Sequence, residues 1–219
     1  MSGMNKNGTY FVSVLEDGQF TPTVWDPFAY KFKGDGGTLS DYASVSKIES
    51  KRIPYGFTRF RPIEYRDLPG GDYLSFSLER EGTLNKKNVS AVAEGAILFG
   101  TMRAYLGNIT VTPQAEWIGC QGPLFFEAKS EFVAVIPDDG LTYFWLVYLR
   151  SRHFLQHLPL GSGGTRPRLH SSALDAVPVS VPDLQTRQGI HDKIQELARC
   201  EWKTHFEATD TIGAIIRSF

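Results

Sequence analysis

Cysteine is scarce in this sequence: of 219 residues only Cys120 and Cys200 carry a thiol. Eighty positions apart, they form neither a paired metal-ligand spacing nor a disulfide framework, which fits a reducing compartment. Long apolar runs are also missing. The longest, residues 141–149, is nine residues even with Thr142 counted, against the ~20 that a membrane-spanning helix needs, so a soluble protein without a membrane partner is expected. An excess of one charge is missing too: 23 Lys+Arg against 24 Asp+Glu leave −1, which argues against a protein that coats nucleic acid nonspecifically. Residues 1–9 lack both the apolar core of a secretory signal and the basic amphipathic pattern of a transit peptide. A cytoplasmic protein is expected. What is present, 219 residues with 42% apolar content, is enough for one substantial core and too short for two ordinary enzyme domains.

The near-zero charge hides segregation. Residues 11–41 hold five acids against Lys31 and Lys33, a local charge of −3. Residues 47–66 hold Lys47, Lys51, Arg52, Arg59, Arg61 and Arg66 against Glu49 and Glu64, a local charge of +4, with Tyr55, Phe57, Phe60 and Tyr65 interleaved. A second basic group, Arg150, Arg152, Arg166 and Arg168, lies in a stretch without an acid from Leu141 to Leu174. Each segment alone reads as a solvated face; two together point to an anionic partner.

Alternation and turn residues predict a strand over 10–15, closed by Glu16-Asp17-Gly18, and a loop over 21–37. A short turn over 39–43 is followed by extended segments at 59–63, 73–78, 96–102, 108–112, 124–128 and 132–136. The Pro, Gly and Asn between them punctuate a meandering, mainly antiparallel sheet. Helical spacing predicts one packed helix over 141–158, ended by Pro159 and Gly161, then a short turn at 171–174 and a strand over 177–181.

From Leu184 to Phe219 there is no proline, and Ile190, Ile194, Ala198, Trp202, His205, Thr209, Ile212, Ile216 and Phe219 recur at steps of three or four. Such a stripe is the seam of a long amphipathic helix. At ~1.5 Å per residue it extends roughly 50 Å, long enough to serve as an arm packed against a partner helix; a helix folded back on its own domain is the alternative. The expected fold class is therefore α+β, a mainly antiparallel β-rich domain followed by a long C-terminal helix.

Two catalytic patterns are present in outline. Phe32-Lys33-Gly34-Asp35-Gly36 imitates a loop that cradles S-adenosylmethionine, and Asp26-Pro27-Phe28 faintly imitates a target-base clamp. Neither has the strand and helix such a site requires, and they lie too close in sequence to line opposite walls of one cleft. Pro182-Asp183 with Glu201-Trp202-Lys203 spells a metal-dependent nuclease signature. Its second half falls in the helical stripe, where residues i and i+2 point to different faces. The five histidines show no metal-site or catalytic-triad spacing; His153 and His157 share a helix face but lack a nearby third ligand. No catalytic residue, metal site or cofactor is expected.

Two glycine-bearing basic loops remain. Thr101-Met102-Arg103-Ala104-Tyr105-Leu106-Gly107 projects Arg103 and Tyr105. Gly161-Ser162-Gly163-Gly164-Thr165-Arg166-Pro167-Arg168 is the stronger: its glycines admit close approach of main-chain N–H groups to an anion, and its arginines suit phosphate or a guanine edge.

With the following segments, the chain resembles the specificity subunits of type I restriction-modification systems. Residues 94–107, from Glu94-Gly95-Ala96-Ile97-Leu98 onward, resemble the family's Gly-Asp-x-Leu strand and loop. Gly163 to Leu169, then Leu174 and Val177-Pro178-Val179, resemble its Gly-x-x-x-x-x-Leu to Leu-Pro-Ile/Val run. Pro182-Asp183-Leu184-Gln185-Thr186-Arg187-Gln188-Gly189-Ile190 is similar to the Pro-x-Leu-x-Glu-Gln-x-x-Ile start of its conserved helix. The likeness runs over 39–219, leaves 1–37 unmatched, and departs from the family at Ala96, usually Asp, and at Arg187, often Glu. The second departure implies that the helix start is held differently.

The resemblance implies residues 1–37 as an extension of unassigned role, 38–184 as a DNA target-recognition domain, and 185–219 as a spacer helix. It implies a noncatalytic subunit that binds double-stranded DNA and associates with methyltransferase and restriction subunits. A full family subunit has two recognition domains and two helices; one of each implies self-association, with two domains reading a bipartite site. A ~50 Å helix matches about 15 base pairs, the scale of two half-sites. The residues expected at DNA are Lys47, Lys51, Arg52, Arg59, Arg61, Arg103, Tyr105, Ser162, Thr165, Arg166 and Arg168; those expected in the helix seam between copies are Ile190, Ile194, Trp202, Ile212 and Ile216. The alternatives are a self-contained nuclease or methyltransferase, and an oligomeric module that holds a small anion.

Overall fold

The computed structural model describes residues 2–4, 10–12, 36–51, 59–68, 73–78, 80–81, 88–120, 124–159 and 161–216. The strand expected over 10–15 is present as β2 (Tyr10–Val12), paired antiparallel with β1 (Ser2–Met4). Its expected turn, both methyltransferase-like motifs apart from Gly36, Arg52, Tyr55, Phe57 and Phe219 lie outside the described residues.

The core is a four-stranded antiparallel sheet in the order β3-β11-β8-β9, formed by β3 (Ala43–Lys47), β8 (Ile97–Gly100), β9 (Ile109–Val111) and β11 (Phe132–Pro137). β8 and β11 occupy its centre, and β8 is buried along its whole length, as expected of a strand covered on both faces. Beside it β10 (Phe125–Glu127), β7 (Val89–Ala93) and β4 (Ser50–Lys51) form a second antiparallel sheet, and β5 (Arg59–Phe60) pairs with β6 (Arg80–Glu81). β3 and β7 escape the sequence reading because Ser44, Ser46 and Ser90 dilute the apolar alternation.

The helix predicted over 141–158 is two helices, α1 (Thr142–Arg150) and α2 (Arg152–Leu155). Ser151 separates them: its backbone is extended (ψ 147°) and its hydroxyl accepts the Phe154 amide at 3.1 Å, capping α2. A side chain that offers the backbone this alternative ends one helix and starts the next. The predicted turn at 171–174 is α3 (Ser171–Asp175).

Two predicted strands are not strands. Over 177–181 the main chain meets residues 37–39 instead, with Leu39 N donating to Val177 O at 2.9 Å and Val179 N to Gly37 O at 3.0 Å. Pro178 has no N–H to extend a ladder. Over 73–78, the Leu74 and Ser75 amides donate to the carboxylate of Glu201 rather than to another strand.

The C-terminal helix is α4 (Leu184–Ile216), 33 residues. Asp183 caps it, accepting from Thr186 N at 3.0 Å and Thr186 Oγ1 at 2.8 Å. Its predicted stripe is real but folded inward over the first two thirds of the helix. Ala198, Trp202 and Phe206 are buried, with Ile190 and Ile194 half-buried against the same core. Trp202 meets Phe76 edge-on at 4.9 Å and Phe206 meets Phe60 at 6.3 Å. Of the residues expected to face a partner helix, Ile212 and Ile216 in the last turns are exposed. The seam also shifts from the predicted His205 to Phe206, because the larger apolar ring takes the core position.

The start of α4 is held by Arg187, which forms an ion pair with Asp139; Asp139 also accepts from Leu141 N at 3.0 Å and Trp145 Nε1 at 3.1 Å. One carboxylate therefore joins the N-termini of α1 and α4. Among the described residues no helix is long and apolar enough to cross a membrane.

Candidate nucleic-acid interface

The two glycine-bearing basic loops, sixty residues apart in sequence, are one structure. The Gly161 loop is a hairpin in its own right: Ser162 N donates to Arg168 O at 2.9 Å and Arg168 N to Ser162 O at 2.8 Å. A Cβ on Gly161 would lie 2.7 Å from the Arg168 carbonyl, so only glycine lets the two arms approach this closely. The loop after β8 is laid along this hairpin. Met102 bridges to Arg168, Leu169 N donates to Thr101 O at 2.9 Å, and Arg103 N donates to Pro167 O at 2.8 Å. The Arg103 guanidinium reaches further and donates to Thr165 O at 3.1 Å.

Arg103 makes these contacts with its backbone in the left-handed region, φ 50° and ψ 48°. For a residue with a Cβ this conformation costs on the order of 1 kcal/mol, and it persists where surrounding contacts over-determine it. From Arg103 the chain turns through residues 104–106, which place Tyr105 and Leu106 at the surface.

Tyr65 holds the base of this composite loop. Its ring stacks on Phe132 at 5.0 Å; its hydroxyl donates to Glu131 O at 3.3 Å and accepts from Met102 N at 2.9 Å. Burial pushes the Tyr65 hydroxyl up to about 12 from its ordinary 10.0. Gly100 makes room for it, since a Cβ there would lie 2.7 Å from the Tyr65 oxygen. Thr101 secures Glu131 O a second time, through both its amide and its hydroxyl at 2.8 Å.

The charges on this face are mostly positive. Arg103, Arg166 and Arg168 are exposed, and Arg168 lies 3.7 Å from Glu131, a distance at which a surface pair is weak. Arg166 makes no hydrogen bond or ion pair among the described residues and sits near the hairpin tip. Ser162 and Thr165 are exposed, with Ser162 Oγ 3.2 Å from His170 Nε2. Sequence reading missed His170, although its place two residues beyond Arg168 in the acid-free stretch was a signal. Exposed Arg152 begins α2, which packs beside the 104–106 turn, where Gly107 faces Leu155.

Lys47 belongs to the same end of the sheet. It pairs with Val133, which pairs in turn with Phe99 one residue before the end of β8. Two strand spacings, ~10 Å, separate its backbone from the strand that carries the Arg103 loop.

The rest of the first basic segment divides. Arg61 is bonded to the buried Asp67 carboxylate at 2.7 Å, and Arg66 and Lys129 flank Glu64 at 3.2 and 3.5 Å. The two carboxylates offset two of these three positive charges within the chain. Phe60 is buried, so it serves the core rather than the surface. Lys51 and Arg59 lie on β4 and β5. In the second segment Arg150 is likewise internal, donating to Ile109 O at 2.8 Å and Tyr73 O at 3.0 Å.

The nuclease signature is dispersed. Asp183 caps α4 while Glu201, eighteen residues along the same helix, receives Leu74 and Ser75; ~27 Å of helix separates carboxylates that would have to share one ion. Among the described residues no group of three or more His, Cys, Asp or Glu is arranged to hold a metal.

No protein-family model matches the chain, and no curated protein matches it. Among solved structures, it is similar to a chain from a study of complex assembly and conformational transition of the type I R-M system. That likeness has 15% identity and a TM-score of 0.47, over 85% of this chain and 44% of the other. It is also similar to the HsdS subunit from Thermoanaerobacter tengcongensis, at 18% identity and a TM-score of 0.43, over 81% of this chain and 44% of that one. The chain spans less than half the length of each of these two proteins.

Proposed function

We propose that the chain is a noncatalytic DNA sequence-recognition subunit of a type I-like restriction-modification system, acting in the cytoplasm. Residues 38–184 read one half of a bipartite duplex target, residues 185–219 set the spacing, and methyl transfer and cleavage belong to methyltransferase and restriction subunits. The observation that supports this best is the joining of the two arginine loops through Met102, Arg103, Thr165, Pro167 and Arg168 into one exposed surface. Both loops fall in segments that resemble the specificity-subunit family.

Phosphate contacts position such a protein and base-edge contacts specify its sequence. Lys47, exposed at the end of the sheet, and Arg168, beside Glu131, suit the first role; Arg166, at the hairpin tip, suits the second. Arg61 is paired with the buried Asp67 carboxylate. Two copies pair through the last turns of α4, where Ile212 and Ile216 are exposed, because Ile190, Ile194 and Trp202 pack within their own chain.

Titration of labelled duplex DNA with the wild-type chain and the Arg166→Ala/Arg168→Ala variant tests the reading. Binding by the wild type, and its loss by at least tenfold in a variant with an unchanged circular dichroism spectrum, supports it. Equal binding by both proteins overturns it.

A further inference from the structure

We infer that Arg103 is a positioning residue for Arg166 rather than a DNA ligand, and that Arg166 reads a base edge. The inference rests on the DNA-recognition reading above and assigns roles within that site.

Arg103 makes two bonds to the Gly161 hairpin, and they land on either side of one residue. Its guanidinium takes the Thr165 carbonyl at 3.1 Å and its main-chain amide takes the Pro167 carbonyl at 2.8 Å. Arg166 is bracketed between them. Pro167 narrows the choice further, because a proline disfavours helical backbone at the residue before it. One residue on, Arg168 is fixed through both its amide and its carbonyl to Ser162. The hairpin tip is therefore held at residues 165, 167 and 168, and of the hairpin's two arginines Arg166 is the one whose side chain makes no bond among the described residues, Arg168 lying 3.7 Å from Glu131.

A guanidinium that only neutralises phosphate needs no such fixation, since charge attraction tolerates a mobile side chain. A guanidinium that makes two parallel bonds to guanine O6 and N7 does need it, because a small displacement removes both. The left-handed backbone of Arg103 fits the same assignment. At φ 50° glycine would be the unstrained choice, and an arginine there supplies the one thing glycine lacks, the donor to Thr165 O.

If Arg103 acts through Arg166, removing it matters only while Arg166 is present. Selection from a randomised duplex pool, followed by affinities for the selected and base-changed sites, is carried out on the full chain and on Arg103→Gly, Arg166→Ala, the double variant and Arg103→Lys. Arg103→Gly suits the left-handed backbone and keeps the bond to Pro167, so it removes the clamp without a fold defect. The assignment requires Arg166→Ala to lose roughly 10- to 100-fold discrimination at one base position, the range of a bidentate contact. Arg103→Gly loses discrimination at that same position, the double variant is no worse than Arg166→Ala, and Arg103→Lys restores part of the preference. A further loss in the double variant, or a loss at a different base position, overturns the assignment and leaves DNA recognition standing. Failure of the wild-type chain to bind duplex at any salt concentration overturns the recognition reading, and this assignment with it.

Discussion

The carboxylate of Glu201, on the C-terminal helix, closes on Ser75, accepting its main-chain amide and its hydroxyl, both at 2.8 Å. The adjacent Leu74 amide donates to the same group at 3.0 Å. A strandless segment thereby finds partners for amides that would otherwise be buried without one. Glu201→Gln should destabilise the fold by about 1.5–3 kcal/mol, the range for hydrogen bonds to a charged group, read as a lower urea midpoint. An unchanged midpoint, or divalent-ion-dependent DNA cleavage that the substitution abolishes, contradicts this role.

The hydroxyl of Tyr65 joins Met102 to Glu131 beneath the composite loop. Tyr65→Phe leaves Met102 N without its acceptor and should cost about 1–2 kcal/mol, with faster hydrogen exchange at the Met102 amide. The pH dependence follows from burial, which raises this hydroxyl from 10.0 to about 12. The folded chain favours the protonated form, so the stabilisation is fully present below pH 10 and is lost as pH rises through 12. Stability of wild type and Tyr65→Phe should converge across that window; a constant gap contradicts the assignment.

The ion pair of Arg187 and Asp139 is largely shielded, with side-chain exposures of 13% and 17%. Removing one partner strands the other. Arg187→Met should cost about 3 kcal/mol, and Arg187→Met with Asp139→Asn should cost less than the two single substitutions summed. Thermal unfolding of the four proteins measures it, and strict additivity contradicts the pairing.

Self-association through the end of α4 has its own test. Ile212 and Ile216 are 57% and 67% exposed. Ile212→Asp with Ile216→Asp should therefore convert a dimer to a monomer in sedimentation velocity without lowering the unfolding midpoint. A dimer that survives both substitutions contradicts pairing at this end.

The fold was legible where side chains repeat. Punctuated apolar segments gave the strands β8, β9, β10 and β11, and a proline-free stripe gave α4. It was not legible where one polar side chain redirects the backbone: Ser151 splits α1 from α2, and Glu201 takes the amides of 73–78. The candidate site was legible as two loops but not as one, because the bonds that join them use main-chain groups of Thr101, Arg103, Pro167 and Leu169, which carry no sequence signature. Charge alone could not separate Arg166 from Arg61, since the pairing of Arg61 with Asp67 is a fact of packing.

The central claim, recognition of duplex DNA through a basic face, is tested most directly by affinity as a function of salt. If about five phosphates are neutralised, log K should fall against log salt with a slope near −4.5. Affinity that does not change across a fourfold range of salt contradicts the claim.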